Sequence, residues 1–340
     1  MILTYVIKHN RDFSEELVKA KQVAEFAIKN RTISSKNVKH IGLKSVISNQ
    51  ILRKYAKNKK CKKISKVNLV IPSQGIKVDK EDRKIRISCL RLEFEYRFPN
   101  TFSKVNQIEI SKDSIHISAT IQEEKAYTPQ SYIGIDRNAT GHCVVAANES
   151  TGKTLKLGRQ AKNTHNKYKN MRKKLQKKNK RNRLKKIKRR EKRKTKDLNH
   201  KMSRKIVQFA KDNKAGIVLE DLKGIRKTKK QRKSFKYVLH SWSFYQLEKM
   251  IKYKAKLLGI PIFKIDPQYT SQQCSRCGLL GKREGKKFYC SCRTIVEDAD
   301  VNAAFVIALR HKGILQSPVD RDVGEGSTDT PKGATTRKAS

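Results

Sequence analysis

The chain has 340 residues, with 81 lysine and arginine residues against 30 aspartate and glutamate residues, a formal net charge of +51 at pH 7. A protein this positive repels cationic ligands and attracts polyanions, so nucleic acid is the expected partner and a membrane surface a weaker candidate. No apolar run is long enough to span a bilayer, and the first residues lack the pattern of a secretion signal. We therefore expect a soluble intracellular protein of two or three domains.

The N-terminal region changes from a helical to a strand-like pattern. Residues 14–29 and 43–51 carry apolar side chains at helical spacing and predict two amphipathic helices. Between residues 67 and 121 the apolar residues alternate instead, as in Lys84-Ile85-Arg86-Ile87, and turn-forming residues interrupt the run. This pattern predicts a β-rich module, either a small barrel or a sandwich.

A second series of elements begins near Ser131. Three short strand-like segments separated by turn-forming residues predict an antiparallel meander, at residues 132–136, 142–147 and 154–157. Later apolar segments predict two more strands, at 216–220 and 260–265, and two helices, at 245–258 and 300–309.

The most basic part of the chain lies between these strands. Residues 172–196 contain 17 lysines or arginines and one acid, Glu191, within a longer stretch that has no glycine or proline. Such a run is often a solvated or disordered segment. Its helix-favouring composition and scattered apolar residues favour a basic helical hairpin that binds phosphates. The residues predicted to bind nucleic acid are Arg172, Lys173, Lys177, Lys178, Arg181, Lys185, Lys188 and Arg189.

Three acidic residues stand at the ends of predicted elements. Asp136 and Glu220 each follow an apolar strand, and Asp300 opens a helix. Carboxylates at such positions can converge, and shared Mg²⁺ would offset their repulsion. Two Mg²⁺ ions about 4 Å apart can activate a water molecule and stabilise the leaving oxygen of a phosphodiester. Ordinary turn-forming and helix-capping acids have the same pattern, so both interpretations are open.

Four of the seven cysteines fall within nineteen positions, at Cys274, Cys277, Cys290 and Cys292. In an intracellular chain this spacing predicts metal ligation and not a disulfide framework, with unrelated buried thiols as the alternative. Four thiolates suit tetrahedral Zn²⁺ in a closed structural site. The second pair has one residue between its cysteines where the first pair has two, so the role of Cys292 as a ligand is open.

Four segments of the chain closely resemble the TnpB family, the transposon-encoded proteins long called OrfB or probable transposase and related to type V CRISPR effectors. They occur in the family's order within roughly residues 130–311. The segments are Ile133-Gly134-Ile135-Asp136, Val218-Leu219-Glu220-Asp221-Leu222, the block from Tyr253-Lys254-Ala255 through Tyr269-Thr270-Ser271-Gln272 to Cys274-Ser275-Arg276-Cys277-Gly278, and Asp298-Ala299-Asp300-Val301-Asn302-Ala303-Ala304.

The resemblance implies an α/β fold class: a RuvC-like nuclease domain of the RNase H fold with an inserted zinc ribbon, preceded by a β-barrel with a small helical insert. The expected boundaries are 1–128 for the barrel, about 12–62 for its recognition insert, 129–311 for the nuclease domain, 160–210 for a basic helical segment, 270–294 for the zinc ribbon, and 312–340 for a disordered tail.

The resemblance also implies a function and its site residues. Such proteins use a guide RNA transcribed from the transposon end to cut double-stranded DNA, here in a prokaryotic cytoplasm near the nucleoid. The acids carried over are Asp136, Glu220 and Asp300, because the family's third acid stands two residues before the Asn of the Asn-Ala-Ala helix; Asp298 is then a neighbour. The zinc ligands carried over are Cys274, Cys277 and Cys290, whereas Arg293-Thr294 occupies the expected Cys-Gly pair and Cys292 comes one residue early.

Two other functions compete with the nuclease. One is an RNA-guided protein that binds and represses DNA without cutting it. The other is a transposase that joins strands by itself, although the resemblance assigns mobility to a separate enzyme. The presence of all three acids favours the nuclease, because that set is eroded in relatives that do not cut.

Overall fold

The computed structural model divides into two compact units, Met1–Glu123 and Glu124–Ser340, a few residues before the boundary expected at residue 128. It describes residues 1–58, 61, 63–99, 101–138, 141–222, 244–293, 295–296 and 298–318. From residue 319 onward, the predicted disordered tail lies outside the described residues. No helix in these ranges is long and apolar enough to cross a membrane.

The first unit combines two α-helices with two antiparallel sheets. The helices are α1 (Ser14–Asn30) and α2 (Ser45–Ala56), at the positions that the apolar spacing predicts. The strands are β1 (Ile2–Lys8), β2 (Leu69–Pro72), β3 (Ile76–Asp79), β4 (Lys84–Ile87), β5 (Leu92–Glu95), β6 (Phe102–Ile110) and β7 (Ser114–Ile121). Helix α1 packs against α2, and α2 packs against β2.

The strands of the first unit form two hydrogen-bonded sheets, where the resemblance implies a β-barrel. One sheet has the order β1-β7-β6-β2 and the other the order β3-β4-β5, and the described ladders do not close into one ring. The break follows β2, because Pro72 has no backbone N–H to donate and the 3-10 turn Ser73–Gly75 redirects the chain. The β-rich module is thus present as two hydrogen-bonded sheets, and their closure into a barrel stays a prediction.

The second unit is an α/β structure with a small three-stranded sheet attached. Its strands are β8 (Ser131–Arg137), β9 (Val144–Asn148), β10 (Thr154–Leu157), β11 (Ala215–Glu220), β12 (Ile262–Ile265), β13 (Lys282–Glu284), β14 (Lys287–Tyr289) and β15 (Ile295–Val296). Its helices are α3 (Arg159–Lys177), α4 (Arg181–Asp212), α5 (Phe244–Leu257) and α6 (Ala299–His311).

The main sheet of this unit has the order β10-β9-β8-β11-β12. Strands β8, β9 and β10 form the predicted antiparallel meander, and β11 and β12 run parallel to β8. One face packs Ile135 and Leu219 against α4 and α5, and the opposite face packs Val145 and Ala147 against Ala304 of α6. The sheet therefore lies between two helical layers, and side chains from the helices on either face can reach the ends of its strands.

The long basic stretch is a helical hairpin, as its composition predicts. Helices α3 and α4 contact each other, and Asn179 in the connecting turn has a φ of 48°. The buried residues of α4 begin only at Asn199. The C-terminal half of α4 therefore belongs to the core, and the N-terminal half pairs with α3 and presents its cations to solvent.

Helix α6 can lie directly on β8 because Gly134 has no side chain. A Cβ atom at Gly134 would lie 2.0 Å from the carbonyl oxygen of Ala304 and 2.6 Å from the backbone nitrogen of Ala308. The alanines on this side of α6 also keep the two backbones close together. This contact places the first turn of α6 beside the end of β8, where Asp136 and Asp300 meet.

We expect Gly134→Ala to lower the free energy of unfolding by about 3 kcal/mol, because the clash is with backbone atoms that cannot rotate away. Urea unfolding followed by far-UV circular dichroism measures this loss. Gly216→Ala on β11 is the matched control, since its Cβ would meet only side-chain carbons, at 3.1 to 3.4 Å. We expect it to cost about 1 kcal/mol. Equal urea midpoints for the two variants would contradict this account of the helix contact.

Candidate active site and metal centre

The three predicted acids converge at one edge of the main sheet. Strands β8 and β11 run parallel, and their last paired residues are Ile135 and Leu219, so Asp136 and Glu220 follow at adjacent strand ends. Asp300 lies in the first turn of α6, which packs on β8. The exposed fractions of the three acids are 5%, 6% and 1%. Three buried carboxylates therefore come together from three separate parts of the chain.

Burial and the proximity of the other two carboxylates change the protonation of Asp136. Burial, followed by the negative charges of Glu220 and Asp300, raises the pKa of Asp136 to about 8, although Asn138 and Arg283 act in the opposite direction. The Nδ2 of Asn138 donates a hydrogen bond of 2.7 Å to Oδ2 of Asp136. Oxygen ligands that repel one another suit a hard divalent cation, which offsets their charge. The donor set fits Mg²⁺.

Glu220 and Asp300 have partners that the sequence did not reveal. The hydroxyl of Thr270, itself buried, donates to Oε1 of Glu220 at 2.6 Å. The carboxylate of Asp300 accepts a hydrogen bond from Arg283 at 2.6 Å and another from Lys286. Thr270 lies in a segment that carries the family resemblance, but no spacing rule marks the two cations, which come from β13 and the turn after it. The acid site therefore includes residues of the cysteine-bearing segment.

The structure also distinguishes the third acid from its neighbour. Asp298 is the N-cap of α6 and accepts a hydrogen bond of 3.1 Å from the backbone nitrogen of Asp300. Asp298 also pairs with Lys156 at 2.6 Å. The capping role that the sequence left open for Asp300 thus belongs to Asp298, and the side chain of Asp300 is directed to the acid cluster. The neighbour of Glu220, Asp221, pairs with Lys264 at 2.9 Å.

The four clustered cysteines form a site that can hold a metal. Each offers one sulfur, and all four sulfurs of Cys274, Cys277, Cys290 and Cys292 lie within 4.8 Å of one another. The Sγ atoms of Cys274 and Cys292 are 3.8 Å apart, and those of Cys277 and Cys290 are 3.5 Å apart. Tetrahedral zinc with Zn–S bonds of about 2.3 Å requires sulfurs about 3.8 Å apart. Cys292 therefore has the position of a fourth ligand despite its shortened spacing.

The shortened pair closes a backbone turn that is one residue tighter than that of the first pair. Gly278 follows Cys277 with a φ of 75°, and its nitrogen donates to the carbonyl oxygen of Cys274 at 3.0 Å. Arg293 follows Cys292 with a φ of 60°, and its nitrogen donates to the carbonyl oxygen of Cys290 at 3.0 Å. The left-handed conformation is unfavourable for arginine and easy for glycine. The chain thus closes the second turn at the cost of local strain.

The cysteine centre is joined to the helix that carries Asp300. Asn302, which is buried in α6, donates to the carbonyl oxygen of Gln273 at 2.7 Å and accepts from the nitrogen of Ser275 at 3.0 Å. Gln273 in turn accepts from Nε of Arg310 at 2.6 Å. Two turns of α6 are therefore held by the loop that begins the cysteine cluster. An ordered cysteine loop helps to fix the position of Asp300.

Seven of the eight predicted nucleic-acid-binding residues are exposed on the hairpin: Lys173, Lys177, Lys178, Arg181, Lys185, Lys188 and Arg189. The eighth, Arg172, forms an ion pair with Glu191 on the opposite helix. His165 also faces Glu191, at 3.4 Å. Burial, followed by the charges of Arg172 and Lys169, lowers the pKa of His165, so Arg172 supplies the positive charge of this cluster. Arg172 therefore joins the two helices of the hairpin.

We expect Arg293→Gly to strengthen metal retention, because glycine relieves about 1 to 2 kcal/mol of left-handed strain in the second turn. Competition between the Zn²⁺-loaded protein and a chromogenic chelator measures the retention. Arg276→Gly is the control, since Arg276 lies inside the first turn without a positive φ. Equal or weaker retention in Arg293→Gly than in the wild type would rule out strain at this position.

Comparison with known proteins finds Cas12f and TnpB-like relatives. Residues 244–307 match the family model described as Cas12f1-like, TNB domain. The endodeoxyribonuclease Cas12f1 of Sulfoacidibacillus thermotolerans is 43% identical over 115 residues, which are 33% of this chain and 26% of that protein. The match thus spans about a quarter of that relative's length. Among solved structures, Cas12f1 in a complex with sgRNA and target DNA has a TM-score of 0.60 at 16% identity, covering 87% of this chain and 82% of that one, which establishes the shared fold.

A relative that is matched over most of its length identifies the family of this chain. The TnpB-like protein of Methanocaldococcus jannaschii is 31% identical over 248 residues, and the match covers 68% of this chain and 88% of that protein. The match therefore extends over most of that protein and is not limited to a single shared domain. The chain therefore belongs to the TnpB family, which is related to the type V effectors.

Proposed function

We propose that this protein is an RNA-guided, Mg²⁺-dependent DNA endonuclease of a transposable element, with a RuvC-like nuclease domain of the RNase H fold. The observation that carries the proposal is the meeting of Asp136, Glu220 and Asp300 at adjacent strand ends and a helix start. An antiparallel meander continued by two parallel strands supports the RNase H fold. The Cas12f relatives are named endodeoxyribonucleases, which agrees with hydrolysis of DNA.

The carboxylates of the three acids would hold two Mg²⁺ ions. When bound, these ions activate the attacking water and stabilise the leaving oxygen of the phosphodiester. Asn138 and Thr270 orient the carboxylates of Asp136 and Glu220 by donating hydrogen bonds to them. Arg283 and Lys286 balance the charge of Asp300 and place two cations where a DNA phosphate must approach.

The partners in this proposal are a guide RNA from the transposon end and double-stranded target DNA. The seven exposed cations of the α3–α4 hairpin suit the phosphates of RNA or of an RNA–DNA heteroduplex. The Cas12f1 neighbour was solved with sgRNA and target DNA, which agrees with both partners. The four cysteines would hold a structural Zn²⁺ that keeps the Asn302 loop in place.

Two other functions make different predictions. A silent RNA-guided DNA-binding protein would bind guide and target tightly and never nick the target in Mg²⁺. A strand-joining transposase would join DNA ends as a purified protein without another enzyme. The buried acid cluster favours cleavage over silent binding, because repulsion among three carboxylates is costly to maintain without a cation to bind. The family resemblance, which assigns mobility to a separate enzyme, is what ranks the transposase below the nuclease.

We expect Asp136→Asn to retain the guide and the target but to cut DNA at least about 100-fold more slowly, since loss of a metal ligand exceeds the effect of losing an outer partner. The protein is expressed with its flanking transposon-end sequence, and the co-purified RNA is sequenced to design a matching target. Cleavage by wild type and variant is then compared in Mg²⁺. Guided cleavage that survives in Asp136→Asn would overturn the proposal.

The same variant tests the electrostatics of the site without cleavage. Because the pKa of Asp136 is raised from 3.8 to about 8, the folded protein holds a proton that the unfolded chain releases. The metal-free wild type should therefore lose stability as pH rises from about 4 to about 8, and Asp136→Asn should lose less. Thermal unfolding in a chelator across this range measures the difference. Parallel curves would contradict the raised pKa of Asp136 and its origin in burial and in the neighbouring acids.

We expect Lys185→Ala with Arg189→Ala to reduce the salt dependence of nucleic-acid binding. Each lost phosphate contact lowers the slope of log K against log salt by about 0.7 to 0.9, so the slope should fall by about 1.5. Arg172→Met is the control, because Arg172 pairs with Glu191 and its loss should lower the melting temperature and leave the slope unchanged. Fluorescence anisotropy with a short RNA–DNA heteroduplex gives the slopes of the wild type and of both variants. Equal slopes in all three proteins would exclude the hairpin as the phosphate-binding surface.

A further inference from the structure

Arg137 is a buried cation that the proposed reaction does not use. It follows Asp136 on β8, and its side chain is fully inaccessible to solvent. Successive residues of a strand point to opposite faces, so Asp136 faces α6 and Arg137 faces α5. Arg137 therefore lies directly behind the acid site, at the same end of the same strand.

The backbone ladder between β8 and β11 ends just before the acids. The last pair is Ile135 with Leu219, and Glu220 is paired on its other side with Ile265 of β12. Asp136 and Glu220 are thus one residue beyond the last shared pair. The backbone pairing described between these two strands does not by itself fix the separation of the two acids.

The guanidinium of Arg137 joins the two strand ends at this point. Its Nη2 donates to the backbone carbonyl oxygen of Glu220 at 2.5 Å, and its Nη1 donates to Oε2 of Glu248 on α5 at 2.9 Å. The planar fork of arginine holds both acceptors in one geometry, which a lysine cannot do. Arg137 thus bridges the end of β8 to the backbone of Glu220 and to α5.

Glu248 anchors Arg137 in this position. It also pairs with Lys252 at 2.9 Å and with Lys264 at 3.1 Å. Burial alone would raise the pKa of Glu248. Hydrogen bonds from Lys252, Arg137 and Lys264 outweigh burial and lower this pKa to about 2. The carboxylate is ionised and holds three cations, so the loss of one of them leaves it paired.

We propose that Arg137 is a positioning residue that sets the separation of Asp136 and Glu220 and thereby the affinity of the acid site for divalent metal. The inference rests on the proposed function, because it requires these acids to bind metal. Mg²⁺ demands nearly ideal octahedral geometry, so a small change in ligand separation weakens its binding. Removal of Arg137 allows the strand ends to separate on the face where the acids converge.

If Arg137 formed only a structural ion pair with Glu248, the expected result would be different. Breaking a buried pair destabilises the fold, and the loss would then appear in unfolding and in every activity together. A positioning role instead appears in metal affinity, while guide and target binding stay constant. The test therefore measures metal binding in the absence of cleavage.

The experiment compares Arg137→Met with Lys252→Met, using Mn²⁺ as the probe. Each variant removes one cation from Glu248. Of the two residues replaced, Arg137 contacts the backbone of Glu220 and Lys252 does not. Free Mn²⁺ is counted by electron paramagnetic resonance on the full-length, guide-loaded protein. We expect the Mn²⁺ Kd to rise about tenfold in Arg137→Met, by analogy with outer partners of metal ligands, and to change less than twofold in Lys252→Met. Arg137→Lys, which keeps the charge but loses the fork, should give an intermediate value even if Arg137→Met does not fold.

Cleavage supplies a second readout. In Arg137→Met, cleavage should recover as Mg²⁺ is raised, with unchanged affinity for guide and target. An unchanged Mn²⁺ Kd in both Arg137 variants, with lower melting temperatures only, would overturn the positioning role. Failure of the proposed function is distinguishable: the wild type and Asp136→Asn would then bind Mn²⁺ equally weakly, which would overturn the acid site and the positioning role with it.

Discussion

Repulsion among three buried carboxylates is the constraint on which the second unit of this protein depends. Asp136, Glu220 and Asp300 come from two strand ends and a helix start, and no short segment could hold them together. The contact between α6 and Gly134 places Asp300, the third acid, beside the other two. The alanine-rich surface of α6 makes this close approach possible. The architecture is thus organised to maintain an arrangement of charges that is unfavourable by itself.

The cysteine segment serves the same arrangement. It contributes Thr270 to Glu220 and two cations to Asp300, and its loop holds Asn302. A centre that resembles an independent structural module is thereby connected to two of the three acids and to the helix that carries one of them. Strain at Arg293 is tolerated because the second turn must close for the fourth sulfur to reach the others.

The sequence predicted the elements that local patterns specify. The meander, the basic hairpin and α6 follow from alternation, composition and helical spacing, and they occur at the expected positions. The convergence of Asp136, Glu220 and Asp300 came from family resemblance, since each acid alone has the pattern of a turn or cap. Partners such as Thr270 and Arg283 could not be predicted, because their contacts join residues distant in sequence. The β-rich module follows from alternation, whereas its closure into a barrel depends on contacts between sheets that no local pattern specifies, and it stays a prediction.

Positive charge has two distinct roles in this chain, and the structure separates them. Exposed cations of the hairpin face solvent, whereas Arg172, Arg137 and Lys264 are committed to carboxylates. Buried pairs of this kind contribute geometry more than net stability, because desolvation consumes much of their attraction. Three of the acids of this very basic protein form the acid cluster, and Glu248 lies behind it with three cations paired to it. Counting charges alone identifies a polyanion-binding protein, and only the pairing of those charges shows where its chemistry would occur.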